Sequence, residues 1–180
     1  MNIRYITLVI NGFLMIFLPI TLGYFIKKKF QLPWRYFWIG GMTFVLSQVV
    51  HIPFNSLVAP VLNQYFFLAL HPTIQLIIHA SFLGLSAGVF EELSRFAMYR
   101  WWVKNARTWA DGVFIGLGHG GIEAMILGVL ALFSAVQVIY FTEFGVPQVL
   151  SPDQVAQAES QLGTILSMPV ILTLLGALER

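Results

Sequence analysis

Glu91 and Glu92 are adjacent carboxylates, Arg95 follows within one helical turn, and the stretch that holds them, GVFEELSRFAMYRWW (88–102), is otherwise almost wholly apolar. Further along, His119 and Glu123 stand four residues apart within GLGHGGIEA. One arginine neutralises one carboxylate, so the other must be protonated, hold water or bind a metal ion. A carboxylate poised between those states is what general-base chemistry on water requires, and a histidine beside it can orient the water or ligate a metal. Residues three and four apart share a helix face. Ser81, Gly84, Gly88, Glu91 and Arg95 therefore form one stripe with Glu92 at its edge, and His119 with Glu123 lies alongside a ridge of Gly112, Gly116 and Gly120. Two helices packed through such small residues would project Glu91, Glu92, Arg95, His119 and Glu123 into one cavity. These five are the candidate catalytic residues, and His119 with Glu123 the candidate metal ligands.

The elements that must position them are set by composition. The chain has 180 residues, 58% hydrophobic and 10% charged, and its apolar residues come in runs of about twenty, the length that crosses a bilayer core. That predicts an all-α, polytopic membrane protein: one integral membrane domain over residues 1–180, with about five transmembrane helices near residues 3–26, 34–58, 73–101, 112–140 and 162–178. The first run is too long for a signal-peptide h-region and lacks an A-x-A-like cleavage site, so it reads as a retained helix. The uncharged, proline-bounded segment from Pro60 to Pro72 reads as an interfacial or partly re-entrant connection. Ser151-Pro152-Asp153-Gln154 carries the Ser cap, first-turn proline and third-position glutamine of a capping box, which predicts a helix start. Lys27, Lys28, Lys29 and Arg35 mark the first loop and Arg100, Lys104 and Arg107 the third, whereas the second and fourth hold no Lys or Arg. The positive-inside rule then places the N-terminus outside and loops one and three in the cytoplasm. A net charge of +2 dispersed in these clusters suggests no nucleic-acid partner. The absence of cysteine excludes disulfides, thiolate metal sites and cysteine nucleophiles.

In that topology Glu91 lies roughly 13 Å along its helix from Arg100, and His119 roughly 18 Å from Arg107, so the two charged sets occupy neighbouring layers. A charge at mid-bilayer costs on the order of 2.5 to 3.5 kcal/mol on insertion scales, and groups kept there normally face a watery interior and form a site. Other readings compete. Glu91 with Arg95 would serve equally as a structural ion pair between helices. A transporter or channel would use the same acids and histidine to relay protons or hold a cation, although no inverted repeat is visible and the acids do not trace a path across. A non-catalytic scaffold would bear the cost of burying these groups without using them. His51 and Asn55, one turn apart, and His79, near the outer end of its helix, read as packing or vestibule residues, and His71 as a loop residue. GLSAG (84–88) matches G-x-S-x-G, but it lies in a helical run with no strand before it, so Ser86 is not expected to be a nucleophile. The H-E-x-x-H zinc signature and phosphate-binding glycine loops are absent.

FEELSR on one helix followed by GLGHGGIEA on the next resembles, over most of the chain, the YhfC family of intramembrane metalloproteases, which belongs with the CAAX prenyl protease and bacteriocin-processing membrane proteins. The wider superfamily carries E-E-x-x-x-R and F-x-x-x-H. Here Arg95 comes one residue earlier and Phe114 lies five residues before His119, so the likeness is to the YhfC branch and not to CAAX specificity. The resemblance implies that Glu91 or Glu92 activates a water to attack a peptide carbonyl within the membrane. His119 would orient that water or bind a divalent metal such as zinc, and Arg95 would hold one glutamate ionised. It implies a membrane-embedded peptide or protein substrate and location in the bacterial plasma membrane. Zinc generally takes three or four protein ligands, so a metal-independent glutamate mechanism stands beside the metal one. The superfamily also brings a further histidine from a later helix. None follows His119, so the expectation is that part of the site is lacking or that the chain is a fragment ending early, and that these 180 residues are catalytically silent without an additional segment.

Overall fold

Four of the expected apolar runs form helices long and apolar enough to cross a membrane in the computed structural model, which describes residues 2–67, 70–147, 149 and 151–175. These are α1 (Ile3–Phe30), α2 (Trp34–Leu62), α3 (Pro72–Ala97) and α4 (Trp109–Phe144). α2 and α3 each run on into a single π-helical turn, Asn63–Phe67 and Met98–Trp102. Two shorter helices follow, α5 (Pro152–Ser167) and α6 (Val170–Leu175), and no strand occurs among the described residues. With every backbone N–H satisfied within its own segment, helices are the spanning elements a hydrocarbon core allows.

The helix ends follow local chemistry. α1 stops where Gln31 adopts φ 53° and the Leu32 N–H donates to the Lys27 carbonyl at 3.1 Å, the reverse turn of a Schellman-type C-terminus, with Pro33 next. α3 opens with Pro72 in its first turn, and His71, expected as a plain loop residue, caps it by accepting from the Thr73 N–H at 3.3 Å. α4 starts three residues before the expected Gly112 because Thr108 and Asp111 cap each other. The Thr108 N–H donates to Asp111 Oδ2 at 3.0 Å and the Asp111 N–H to Thr108 Oγ1 at 3.2 Å. The predicted box at Ser151 and Gln154 is formed in both directions.

Two expected boundaries differ. α2 continues through Pro53 and Pro60 to Leu62, so much of the segment read as a connection is helix; residues 68–69 of it lie outside the described residues. The expected fifth span near 162–178 is divided at Pro169. Met168, the residue before that proline, takes an extended conformation, ψ 135°. Neither α5, of 16 residues, nor α6, of 6, has spanning length, and residues 176–178 of the expected span lie outside the described residues.

The chain divides into two compact units, residues 26–120 and residues 1–25 with 121–180. In the second of these, α1 and α4 meet closely at Gly12 and Gly128, where a Cβ on Gly128 would stand 2.9 Å from the Gly12 carbonyl oxygen. Tyr5 donates to Glu143 at 2.9 Å, and Arg4 donates to the Met168 carbonyl freed at the α5 break, at 2.8 Å.

The unit of residues 26–120 holds α2 beside α3, with Phe54 against Phe82 and Phe90. It also holds a buried aromatic cluster of Phe37 and Phe114 with Leu32, flanked by Trp34. α2 crosses α4 at Gly40 and Gly118. A methyl group on Gly40 would overlap the Ile115 carbonyl, and one on Gly118 the Phe37 carbonyl. Only glycine permits backbones so near.

Candidate functional site

That α2–α4 crossing seats His119. The residue follows Gly118 directly, its backbone lies against Gly40, and Phe44 of α2 meets its ring edge-on at 5.4 Å between centroids. His119 is therefore buried, 5% exposed. From α3, Glu91 reaches it, with Oε2 3.4 Å from His119 Nε2. Arg95, a turn further along α3, lies 3.6 Å from the same Glu91 oxygen and donates to Glu92 Oε1 at 2.7 Å. Glu91, Glu92, Arg95 and His119 thus come together within one unit. The two glutamates differ sharply. The Glu91 side chain is 25% exposed and is shared between a cation and an imidazole, whereas that of Glu92 is 74% exposed and is held by Arg95. Adjacent residues point about 100° apart on a helix, so one side chain of the pair turns inward and the other to the rim. Glu123, one turn beyond His119 on α4 and half-buried, belongs to the other unit.

The small-residue stripes do not make this junction. Nothing among the described residues stands within 4 Å of where a Cβ at Gly84, Gly88, Gly116 or Gly120 would lie, and Gly112 meets only the Tyr99 hydroxyl at 3.8 Å. The close seam runs through Gly40 and Gly118 instead. It is a pairing between helices that the i, i+4 spacing of glycines within either one does not reveal.

A divalent ion, which the resemblance implies, needs three or four donors in fixed geometry. His119 Nε2 and Glu91 Oε2 offer two, Glu92 is turned to Arg95, and the Arg95 guanidinium adds positive charge beside the pair. Among the described residues no group of three His, Cys, Asp or Glu side chains is arranged to hold a metal. For the expected metal on His119 and Glu123, the described residues show no such three-donor group.

A second polar group lies on α2 and α3. His51 Nε2 is 3.1 Å from Ser86 Oγ and 2.7 Å from Asn55 Nδ2, its Nδ1 is 3.2 Å from Gln48 Oε1, and Ser86 Oγ is 2.9 Å from Asn55 Oδ1. An Nδ1–H donated to Gln48 leaves Nε2 to accept from Asn55 Nδ2, and the single Ser86 hydroxyl proton goes to one of its neighbouring acceptors, Asn55 Oδ1 at 2.9 Å being the nearest. Ser86 sits mid-helix and lies 3.0 Å from the Leu83 carbonyl, as expected of a residue outside any strained strand-to-helix turn. The signal for this network was half visible. His51 and Asn55 share a helix face, but nothing in their spacing ties them to Ser86.

Comparison with known proteins adds two matches. The family model described as YhfC intramembrane metalloprotease matches residues 14–180. The protein named "Uncharacterized membrane protein YhfC" of Bacillus subtilis (strain 168) is 31% identical over 179 residues, an alignment covering 96% of this chain and 67% of that protein. No solved structure matches. Its four membrane-length helices, its family-model match and its likeness to the Bacillus membrane protein agree: this chain is an integral membrane protein and belongs to the YhfC family.

Proposed function

We propose that the protein is an intramembrane peptidase in which Glu91 is the general base. The observation that carries this reading is the 3.4 Å approach of Glu91 Oε2 to His119 Nε2, in helices long enough to cross a membrane. A water bound to the carboxylate beside the imidazole would lose a proton to Glu91 as its oxygen attacks a peptide carbonyl, and His119 would orient Glu91 or donate to the developing oxyanion. Arg95 sets its guanidinium beside the Glu91 carboxylate, and its hydrogen bond to Glu92 fixes that guanidinium in place. Glu92 is then the positioning partner of Arg95, and Glu91 the proton acceptor. The family description supports proteolysis as the reaction class. No step is routed through a metal, because the described residues supply only two donors in proximity. The substrate class is a membrane-embedded peptide or protein segment.

The test is made in the protein as its own cell produces it. Glu91→Gln is introduced, and peptide fragments of membrane proteins are compared with wild type by mass spectrometry. The reading predicts the loss of a defined set of cleavage products. An unchanged fragment pattern sinks it.

A further inference from the structure

At the basic end of the unit of residues 26–120, a cavity of ≈530 Å³ is lined by Arg35 and Tyr36 of α2, Trp101 and Trp102 of the π-helical turn, and Lys104 and Asn105 just beyond it. Its chemistry is distinctive. Two cations face it, no acidic side chain lines it, and among the described residues neither Arg35 nor Lys104 forms an ion pair. Arg35 instead rests on the Tyr36 ring, 5.8 Å from its centroid. Asp111 is buried, accepts from the backbone N–H groups of Arg107 and Thr108, and forms no ion pair with either cation among the described residues. Trp101 and Trp102 remain 62% and 51% exposed. A pair of exposed indoles beside two uncompensated cations, at the ends of membrane-length helices, combines the two features that anchor protein to the lipid headgroup layer.

We propose that this cavity is a binding site for the headgroup of an anionic phospholipid. The phosphodiester sits between the two cations, the planar Arg35 fork holding two of its oxygens and Lys104 acting as a point charge. The indoles of Trp101 and Trp102 cover the glycerol and the first part of the acyl chains, and the Asn105 side chain offers hydrogen bonds to headgroup hydroxyls. The site lies beside the turn that follows Arg95 on the same helix. By the loop charges it opens toward the cytoplasmic leaflet, where anionic lipid supplies the matching field. The proposal does not depend on the peptidase reading.

The experiment is a titration of the purified, detergent-solubilised protein with phosphatidylglycerol and with phosphatidylcholine of the same acyl chains, followed by native mass spectrometry. Phosphatidylglycerol should bind more tightly, and raised salt should weaken that preference. Each surface cation contributes roughly fivefold to such binding, so Arg35→Gln with Lys104→Gln should lower phosphatidylglycerol affinity roughly twentyfold and phosphatidylcholine affinity by clearly less, because the choline already offsets the charge of the shared phosphodiester. Lys28→Gln with Lys29→Gln removes the same charge from residues that do not line the cavity, and should cost less than about a quarter of that loss. Equal affinity for the two lipids, or equal loss in both double variants, overturns the site. Displacement by glycerol 3-phosphate at the same concentration reassigns the cavity to a soluble phosphate ester and overturns the lipid. A phosphatidylglycerol with a photoreactive group near its headgroup tests the wild-type chain independently of any variant. Crosslinks should map to Tyr36, Trp101 or Trp102, and crosslinks confined to other residues refute the proposal.

Discussion

Two neighbouring glutamates of the same chemistry acquire different surroundings from one step along a helix. Glu91 turns to His119 and is three-quarters buried, while Glu92 turns outward to Arg95. The sequence offers both as bases because adjacency says nothing about which one meets the histidine; that choice depends on the rotation of α3 against α4. The geometry yields a prediction that separates them. Glu91→Gln keeps the shape of the side chain but removes the proton acceptor, so cleavage should fall by about 10²- to 10⁴-fold. Glu92→Gln removes half of an exposed ion pair, worth about 0 to 1 kcal/mol, so cleavage should fall by less than about tenfold. Rates measured on one substrate peptide in membranes carrying each variant decide between them, and a reversed order of severity would assign the base to Glu92. His119→Ala should match the Glu91 variant, because it removes the group that orients Glu91 or donates to the oxyanion.

At the scale of elements, signals confined to one chain segment were legible and pairings between segments were not. The Ser151 and Gln154 box acts within four residues and could be read directly. The Thr108 and Asp111 box lacks the usual sequence signature, because aspartate replaces Glu or Gln at its third position. The close crossing has no such signature, because Gly40 and Gly118 lie off the regular i, i+4 glycine ridge, whereas Gly84, Gly88, Gly116 and Gly120 face open space. Substitution should tell the two classes apart. Gly40→Ala drives a methyl group into the Ile115 carbonyl and should destabilise the protein by about 1 to 3 kcal/mol. Gly84→Ala meets nothing and should be neutral, or stabilising by up to about 1 kcal/mol through helix propensity. Thermal unfolding in detergent reads both, and comparable losses at the two positions would refute the seam. By the same measurement Thr108→Ala should cost about 1 kcal/mol, the usual value of a helix cap.

For the whole molecule, the all-helical membrane class and four of the five expected spans came from composition and run length, since a bilayer imposes both on any chain that crosses it. The grouping into two units did not, because α1 and α4 each contribute to both and no linker marks a boundary. Orientation follows from charge. Lys27, Lys28, Lys29 and Arg35 flank the α1–α2 junction, and Arg100, Lys104 and Arg107 the α3–α4 junction, whereas the α2–α3 junction and the stretch from Gly145 to Ser151 carry no Lys or Arg. If each of the four helices of crossing length spans the bilayer, these junctions alternate between the two faces, and the positive-inside rule predicts that the cationic ones are cytoplasmic. A reporter inserted after Asn105 should therefore read cytoplasmic, and one inserted at Asp153 external. With that orientation Glu91, nine residues before Arg100, lies roughly 13 Å from the cytoplasmic end of its helix, and the cavity between Arg35 and Lys104 faces the same leaflet. Both features reverse together if the reporters do. An external signal at Asn105 with a cytoplasmic one at Asp153 would move the glutamates to the outer half of the membrane and place the proposed headgroup cavity in the wrong leaflet.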